Sequence, residues 1–317
     1  MQGLQMPSPE LVALAIIQAL LMLSLAPLVT GFTRVLRAKM HSRQGPGLLQ
    51  EYRDIYKLLR RQEASPQATG WVYRMMPSVL VITMLLVAMA LPTVTNQSPF
   101  PIAGDIITDI YLFAIFRFFF ALAGLDSGSM FAGIGSSREA TLGVLAEPIF
   151  MLSILVMVLI AGTSDLGYIS THMATQPWVA PGATLLAGAA CAFVIFIEMG
   201  KLPFDCAEAE QELQEGPLTE YSGSGLAMIK LGLGLKQLVV AQLFLALFIP
   251  FGKAAELTFP ALLMASVILM AKLFVVFLIA GVIENSVART RFLKTHHLTW
   301  IGFGIAVLAF IFYLTGL

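Results

Sequence analysis

The chain has 317 residues, of which 58% are hydrophobic and 12% charged, and its 19 basic and 19 acidic side chains cancel at neutral pH. Soluble domains carry about a quarter charged residues, so this composition, with a mean hydropathy of +0.84, excludes an ordinary water-soluble globule and marks an integral membrane protein. Two cysteines, Cys191 and Cys206, are too few for an iron–sulfur cluster, which takes about four thiolates, and read as buried inert thiols.

Eight apolar runs are long enough to cross about 30 Å of hydrocarbon. The first, Leu11 to Phe32, follows an N-terminus without basic residues and is too long for a signal-peptide core, so it reads as a retained helix. The segment after it carries Arg34, Arg37, Lys39, Arg43, Arg53, Lys57, Arg60 and Arg61. Beyond its Gly45-Pro46-Gly47 turn, Leu48, Leu49, Tyr52, Ile55, Tyr56, Leu58 and Leu59 recur at spacings near three and four, which predicts an amphipathic helix. It either lies at the headgroup level or forms a platform for a peripheral protein.

The second run spans Val72 to Leu91 and the third Ile106 to Leu125, with Arg117 in its middle. Asp105 and Asp109 open the third, where acidic residues favour the positive end of a helix dipole. The fourth, Ala140 to Ala161, holds Glu147 followed by Pro148, which removes a backbone hydrogen bond and predicts a kink. Ser136 and Glu139 have capping-box spacing, so helix capping competes with proton conduction as the role of Glu139. The fifth run, Pro181 to Gly200, carries Glu198 near its end. The sixth, Leu235 to Phe251, and the eighth, Leu298 to Leu314, are the shortest; the seventh, Phe259 to Ile283, has Lys272 in its middle.

A charge inside such a span costs about 2.5–3.5 kcal/mol unless it is paired or hydrated. Arg117, Glu147, Glu198 and Lys272 are therefore functional candidates. Interhelical ion pairs, for example Arg117 or Lys272 against Glu147, are the structural alternative. Between the fifth and sixth runs lies the densest acidic stretch, with Asp205, Glu208, Glu210, Glu212, Glu215 and Glu220. If the stretch after Pro203 is helical, Asp205, Glu208, Glu212 and Glu215 share a face and Glu210 points away. Such a face persists when it is solvated, protonated with raised pKa values, or covered by basic partners. A line of acids from the surface to Glu198 suits proton transfer. The GIG at 133–135 and GLG at 232–234 lack a nucleotide-binding fingerprint and read as helix packing or loop flexibility, and His296 and His297 read as interface residues.

Lysine and arginine placement orients the chain. Arg289, Arg291 and Lys294 add a second basic segment near the C-terminus, whereas the segments after the second and fourth runs have no lysine or arginine and the one after the sixth has only Lys253. Positive residues mark the cytoplasm. The expected architecture is all-α: a polytopic bundle forming one integral membrane domain over 1–317, with eight transmembrane helices and an amphipathic helix in the first cytoplasmic loop. The cytoplasmic loops are about 33–71, 126–139, 201–234 and 284–297, and both termini are outside, in the periplasm.

The stretch LPFDCAEAEQELQEGPLTEYSG resembles the signature loop of the membrane subunit of respiratory complex I that joins its peripheral arm to its proton-pumping arm. RQGPGLLQEYRDIYKLL resembles the first cytoplasmic loop of the same family. SREATLGVLAEP, ENSVARTRFLKTHHLTW and FRFFFALAGLDSGS fit the family's hydrogenase branch, of the hydrogenase-4 and formate hydrogenlyase type. The short first loop, only Gln44-Gly45-Pro46-Gly47 where complex I members carry a longer insert, departs toward that branch too, and the resemblance covers nearly the whole chain.

The resemblance implies an anchor and coupling subunit of a bacterial inner-membrane complex, with no catalytic centre or cofactor of its own. Implied partners are a nickel-iron hydrogenase large subunit and an iron–sulfur small subunit that carry the metal centres, antiporter-like membrane subunits, membrane lipid, and formate dehydrogenase through the complex, but no nucleic acid. It places a proton path on Glu139, Glu147, Glu198, Asp205, Glu208, Glu210, Glu212 and Glu220, beside the intramembrane charges Arg117 and Lys272. Docking of the peripheral arm and its cavity fall to Arg43, Gly45, Pro46, Asp54, Lys57, Glu215 and Tyr221. The alternatives are a quinone-interacting subunit of an NADH:quinone oxidoreductase and a stand-alone ion transporter, the latter disfavoured because no internal repeat is evident.

Overall fold

The computed structural model describes residues 9–67, 69–100, 103–176, 179–208, 210–289 and 291–316, without the side chains at 210, 211 and 293. In chain order the helices are α1 (Pro9–Met40), α2 (Gln50–Leu59), α3 (Trp71–Ala90), α4 (Ile106–Asp126), α5 (Met130–Ala161), α6 (Leu166–Thr175), α7 (Pro181–Glu198), α8 (Glu210–Leu213), α9 (Gly223–Phe248), α10 (Phe259–Ser286) and α11 (Phe292–Thr315). Eight of them, α1, α3, α4, α5, α7, α9, α10 and α11, are long and apolar enough to cross a membrane, one for each predicted run. The chain is all-α and multi-pass, and no sheet forms among the described residues.

The helices outrun the apolar windows at one end. α1 continues past Phe32 to Met40 with Arg37 and Lys39 in its last turn, where cations suit the negative end of the helix dipole and long side chains can reach water. α5 begins at Met130 with Ser129 as its N-cap, so Glu139 lies well inside the helix. The capping-box reading of Ser136 and Glu139 is thereby overturned. Pro148 sits within α5 without ending it. α9 begins at Gly223 rather than Leu235, which brings Lys230 into the helix. The short α6 was not expected; Asp165 caps it by accepting the Tyr168 amide at 2.7 Å.

α9 is the central post. In its most apolar window 72% of the residues are buried, against 22% for α10 and α11, which places the last two at the rim. α3 packs on α4 and α9, α11 on α7 and α5, and α10 rests on α1 and α9. In lipid there is little hydrophobic force between helices, so close approach at small residues matters. Gly232 and Gly234 fit this need: a Cβ would stand 3.1 Å from Leu80 Cβ at the first and 3.3 Å from Thr30 Oγ1 at the second. The GLG segment is thus a packing element.

The predicted amphipathic helix is α2, which folds back on α1 and α9. Glu51 and Ile55 face inward, while Arg53, Tyr56, Lys57 and Arg60 are exposed. The loop before α2 presses on α1, since a Cβ at Gly31 would come within 2.2 Å of the Leu48 carbonyl oxygen. Tyr73 of α3 and Tyr221 stack with ring centroids 4.0 Å apart. The Tyr73 hydroxyl donates to the Glu220 carbonyl at 2.6 Å, and the Tyr221 hydroxyl donates to the Tyr73 carbonyl at 2.8 Å. Tyr221, expected on the docking surface, is therefore a buried internal tie, because its ring and hydroxyl are both satisfied within the bundle. Next to it, the Ser222 hydroxyl accepts from the Ala64 amide at 2.8 Å and donates to the Ala64 carbonyl at 2.9 Å, linking the end of the first loop to the end of the acidic loop.

Candidate functional site: a charged cavity inside the bundle

The later turns of α1, the end of α7, the N-terminal halves of α5 and α9, and the 201–222 loop gather at one end of the bundle around a cavity of about 240 Å³. Arg117 projects into it from α4. Gly143 of α5 leaves room for that side chain, since a Cβ there would lie 2.4 Å from Arg117 Cδ. The Arg117 guanidinium bonds the Glu198 carboxylate directly, and its Nε stands 4.0 Å from Glu139 Oε1. Lys236 of α9 approaches the other Glu198 oxygen at 2.9 Å and lies 5.2 Å from the centre of the Phe116 ring. Glu198 is thus clasped by two cations with side-chain exposures of 15% and 8%, and is itself 8% exposed.

Two buried cations facing Glu198 and Glu139 make a balanced set. Only such pairing and hydrogen bonding make charges at this depth tolerable. Glu147 sits next door, where it, Arg117, Glu198, Phe113 and Phe150 line a void of about 10 Å³, close to the space of one water. The expected Arg117–Glu147 pair is replaced by Arg117–Glu198, because the arginine points toward the end of α7.

The acidic loop reaches the cavity without forming the single-faced helix expected of it. Only Glu210–Leu213 is α-helical, and Gln214, Glu215 and Gly216 all take positive φ, which ends the helix at once. Asp205, Glu208 and Glu215 line the cavity from irregular backbone. Asp205 is held by Arg289 at 2.7 Å. Burial pushes the Glu208 carboxyl up to about 8, and the nearby carboxylates of Asp205, Glu139 and Glu215 push it in the same direction. The exposed Glu212 pairs with Arg138 at 2.8 Å, which holds its carboxyl below the ordinary value. Burial, then the Asp205 charge, push the Cys206 thiol up to about 11, so it stays protonated and inert.

Gly216 makes this loop path possible. Its φ is +52°, and a Cβ would come within 2.0 Å of the Ala207 carbonyl oxygen. Gly216→Ala is expected to destabilise the protein by about 1–3 kcal/mol, through combined clash and backbone strain. A thermal denaturation midpoint equal to that of the unaltered protein would show that the loop does not make this approach.

The structure thus brings Glu139, Glu198, Asp205, Glu208 and Glu215 to one cavity, with Glu147 beside it, and sets others apart. Glu212 faces solvent, Glu220 is half-buried away from the cavity wall, and the side chain of Glu210 lies outside the described residues. Lys272 is remote from these acids: its ammonium donates to the carbonyl oxygens of Ile249, at 2.7 Å, and Phe251, and so ties down the chain leaving α9. Its expected role as an intramembrane charge partner gives way to that of a backbone clamp at the opposite end. Arg43, Pro46 and Lys57 are exposed, and Gly45 packs near Ala38, a Cβ there lying 2.6 Å from Ala38 Cβ. Arg43 and Asp54, expected to build the cavity, do not line it. Arg34 and Glu51, joined at 2.6 Å, do so instead.

Sequence reasoning missed Lys236 and Glu51. Lys236 lies just inside the predicted sixth run, so its cost in lipid was the available signal. Glu51 offered none, because it reads as one more polar residue of an amphipathic helix. Among the described residues no group of three or more His, Cys, Asp or Glu side chains converges as a metal site.

The NADH dehydrogenase family model matches residues 12–315. The chain is 57% identical over 307 residues to hydrogenase-4 component C of Escherichia coli (strain K12), covering 97% of each chain. It is 55% identical over 296 residues to formate hydrogenlyase subunit 4 of the same organism, covering 93% of this chain and 96% of that one. Among solved structures, a chain of the membrane-bound sulfane sulfur reductase, an archaeal respiratory membrane complex, shares the fold with a TM-score of 0.83 at 24% identity, over 94% of this chain and 99% of that one. A multi-pass bundle of this fold, with relatives more than half identical along almost its full length, belongs to the NADH dehydrogenase family.

Proposed function

We propose that this chain is the membrane anchor and coupling subunit of a nickel-iron hydrogenase complex of the hydrogenase-4 and formate hydrogenlyase type. The two relatives above half identity support the complex. The observation that carries the coupling role is Glu198 clasped by Arg117 and Lys236 on the wall of a cavity that also holds Glu139 and Glu208. On this reading the chain is one integral membrane domain with the cavity end in the cytoplasm, because the basic loops gather there, and both termini in the periplasm. The hydrogenase large subunit and the iron–sulfur small subunit, which bring the metal centres, dock over α2 and the acidic loop. Arg43, Lys57 and the rest of the exposed basic face of α2 present charge to them. Antiporter-like subunits lie alongside in the membrane, and formate dehydrogenase supplies electrons through the complex.

The chemistry is a relay of charge compensation. Glu208 changes protonation near neutral pH, and its charge acts on Asp205, Glu139 and Glu215. Arg117 stands between Glu139 and Glu198, so a movement of the loop alters which carboxylate it compensates. A proton then moves toward Glu198 and Glu147 to restore balance. A quinone-binding role is less well supported, because drug-sized ligand sites are mostly apolar and about 300–1,000 Å³ whereas this cavity is about 240 Å³ and ringed by charges. Purification of the tagged chain in mild detergent is expected to recover a nickel-iron enzyme with iron–sulfur proteins. Recovery of a flavin-containing NADH-oxidising module, or of the chain alone, would overturn the proposal.

A further inference from the structure

At the far end of the bundle from the cavity, Asp109 sits in the first turn of α4 with no exposed surface. Among the described residues neither carboxylate oxygen has a hydrogen-bond partner and no cation lies within ion-pair distance. Favouring the dipole does not account for this, since a dipole-stabilised carboxylate has no need to be buried. An ionised carboxylate without donors or a counter-charge is costly at this depth, and the relief open to it is a bound proton or a hydrating water. Buried ionisable groups within membrane spans are functional candidates by default.

The surroundings of Asp109 give it a neighbour on each side. Toward the outside, its amide bonds the Asp105 carbonyl at 3.3 Å, and Asp105 pairs in an isolated bridge with Asp165. That bridge is closed by Ile106 N to the Ser164 carbonyl at 3.1 Å and Leu166 N to the Gly104 carbonyl at 2.9 Å. Asp165 lines a second cavity, of about 890 Å³, together with Thr163, Gly167 and Gln97. Toward the inside, Ile110 and Phe113, the next inward residues of α4, line the small void that holds Glu147, Arg117 and Glu198. The Phe113 and Phe150 rings meet edge to face at 6.1 Å in that wall. Along α4 the rise of about 1.5 Å per residue sets Asp109 about 12 Å from Arg117.

We propose that Asp109 is a proton-binding site that extends the acidic route of the cavity end to the opposite face of this same chain. Asp109 takes up a proton from water of the second cavity by way of the Asp105–Asp165 corner. The O–H bond then breaks as one forms on a water in the Glu147 void, and that water passes a proton to the Glu147 carboxylate; transfer in the other direction reverses the same steps. The Phe113–Phe150 pair separates the two stations, so exchange between them requires the rings to part and water to enter. The inference rests on the proton-handling reading of the cavity.

The test uses the whole complex in native membrane vesicles and dicyclohexylcarbodiimide, which modifies protonated carboxyl groups in apolar surroundings. Mass spectrometry is expected to find the adduct on Asp109 at neutral pH. Asp109→Asn abolishes the adduct and lowers proton transport per hydrogen evolved at least tenfold, while Asp109→Glu retains both. Failure of Asp109 to react while other membrane carboxyls do, or transport at the unaltered level in Asp109→Asn, overturns the site. Glu198→Gln, measured in parallel, separates the levels. If it abolishes transport while Asp109→Asn does not, this extension alone fails; if both transport normally, the proton-handling reading fails as well.

Discussion

Glu198→Gln is expected to abolish proton transport by the assembled complex and to destabilise the subunit by about 3–5 kcal/mol, the usual cost of removing one partner from a buried charge set. The amide keeps the size of the carboxylate but leaves Arg117 and Lys236, both largely buried, with only the more distant Glu139 as counter-charge. Adding Lys236→Met should restore part of the stability, because it removes one of the stranded cations, and should leave transport absent. Thermal denaturation of the purified complex and proton uptake by vesicles during hydrogen evolution measure the two effects. Single and double variants with the same stability as the unaltered protein would show that the triad is not a structural unit. Transport retained by Glu198→Gln would remove it from the route.

The second large effect is a pH dependence set by Glu208. Its carboxyl lies at about 8 in the folded chain against an ordinary 4.5. Between these values the folded state binds the proton and the unfolded state does not, so stability is greatest at the acidic end and falls as pH rises toward 8. The loss across the window is on the order of a few kcal/mol, since a tenfold difference in proton affinity between the two states is worth about 1.4 kcal/mol. Glu208→Gln, which cannot ionise, should flatten this slope and leave the protein more stable than the unaltered chain at about pH 8. Denaturation midpoints collected at several pH values would decide the matter, and equal slopes in the two proteins would rule out Glu208 as the titrating group.

The eight spans were legible because hydropathy summed over some 20 residues outweighs any single side chain. Helix ends were not legible at the cavity end. α1, α5 and α9 all continue past the apolar window, because a helix already nucleated extends through residues that water can solvate. For this reason the sequence alone presents Glu139 as a possible cap and Lys230 as part of a loop. The choice of ion-pair partner was also invisible: nothing in the spacing of Arg117 and Glu198 says that α4 and the end of α7 face one cavity. Glu208 and Glu212 are four residues apart in similar sequence, yet one is half-buried on the cavity wall and the other solvated. Glu208 lines the cavity from the irregular stretch before α8, whereas Glu212 lies on α8, which the positive φ angles at Gln214, Glu215 and Gly216 then end.

The Ser222–Ala64 pair has a mechanical consequence. It fastens the segment leaving α2 to the start of α9, while the two tyrosines pin the same point to α3. One margin of the acidic loop is therefore fixed at residue 221, and its far margin is tied to the last inter-helix segment through Asp205 and Arg289. A displacement of the segment leaving α2 is thus shared with α3 and α9 through these ties before it reaches the carboxyl groups of the acidic loop.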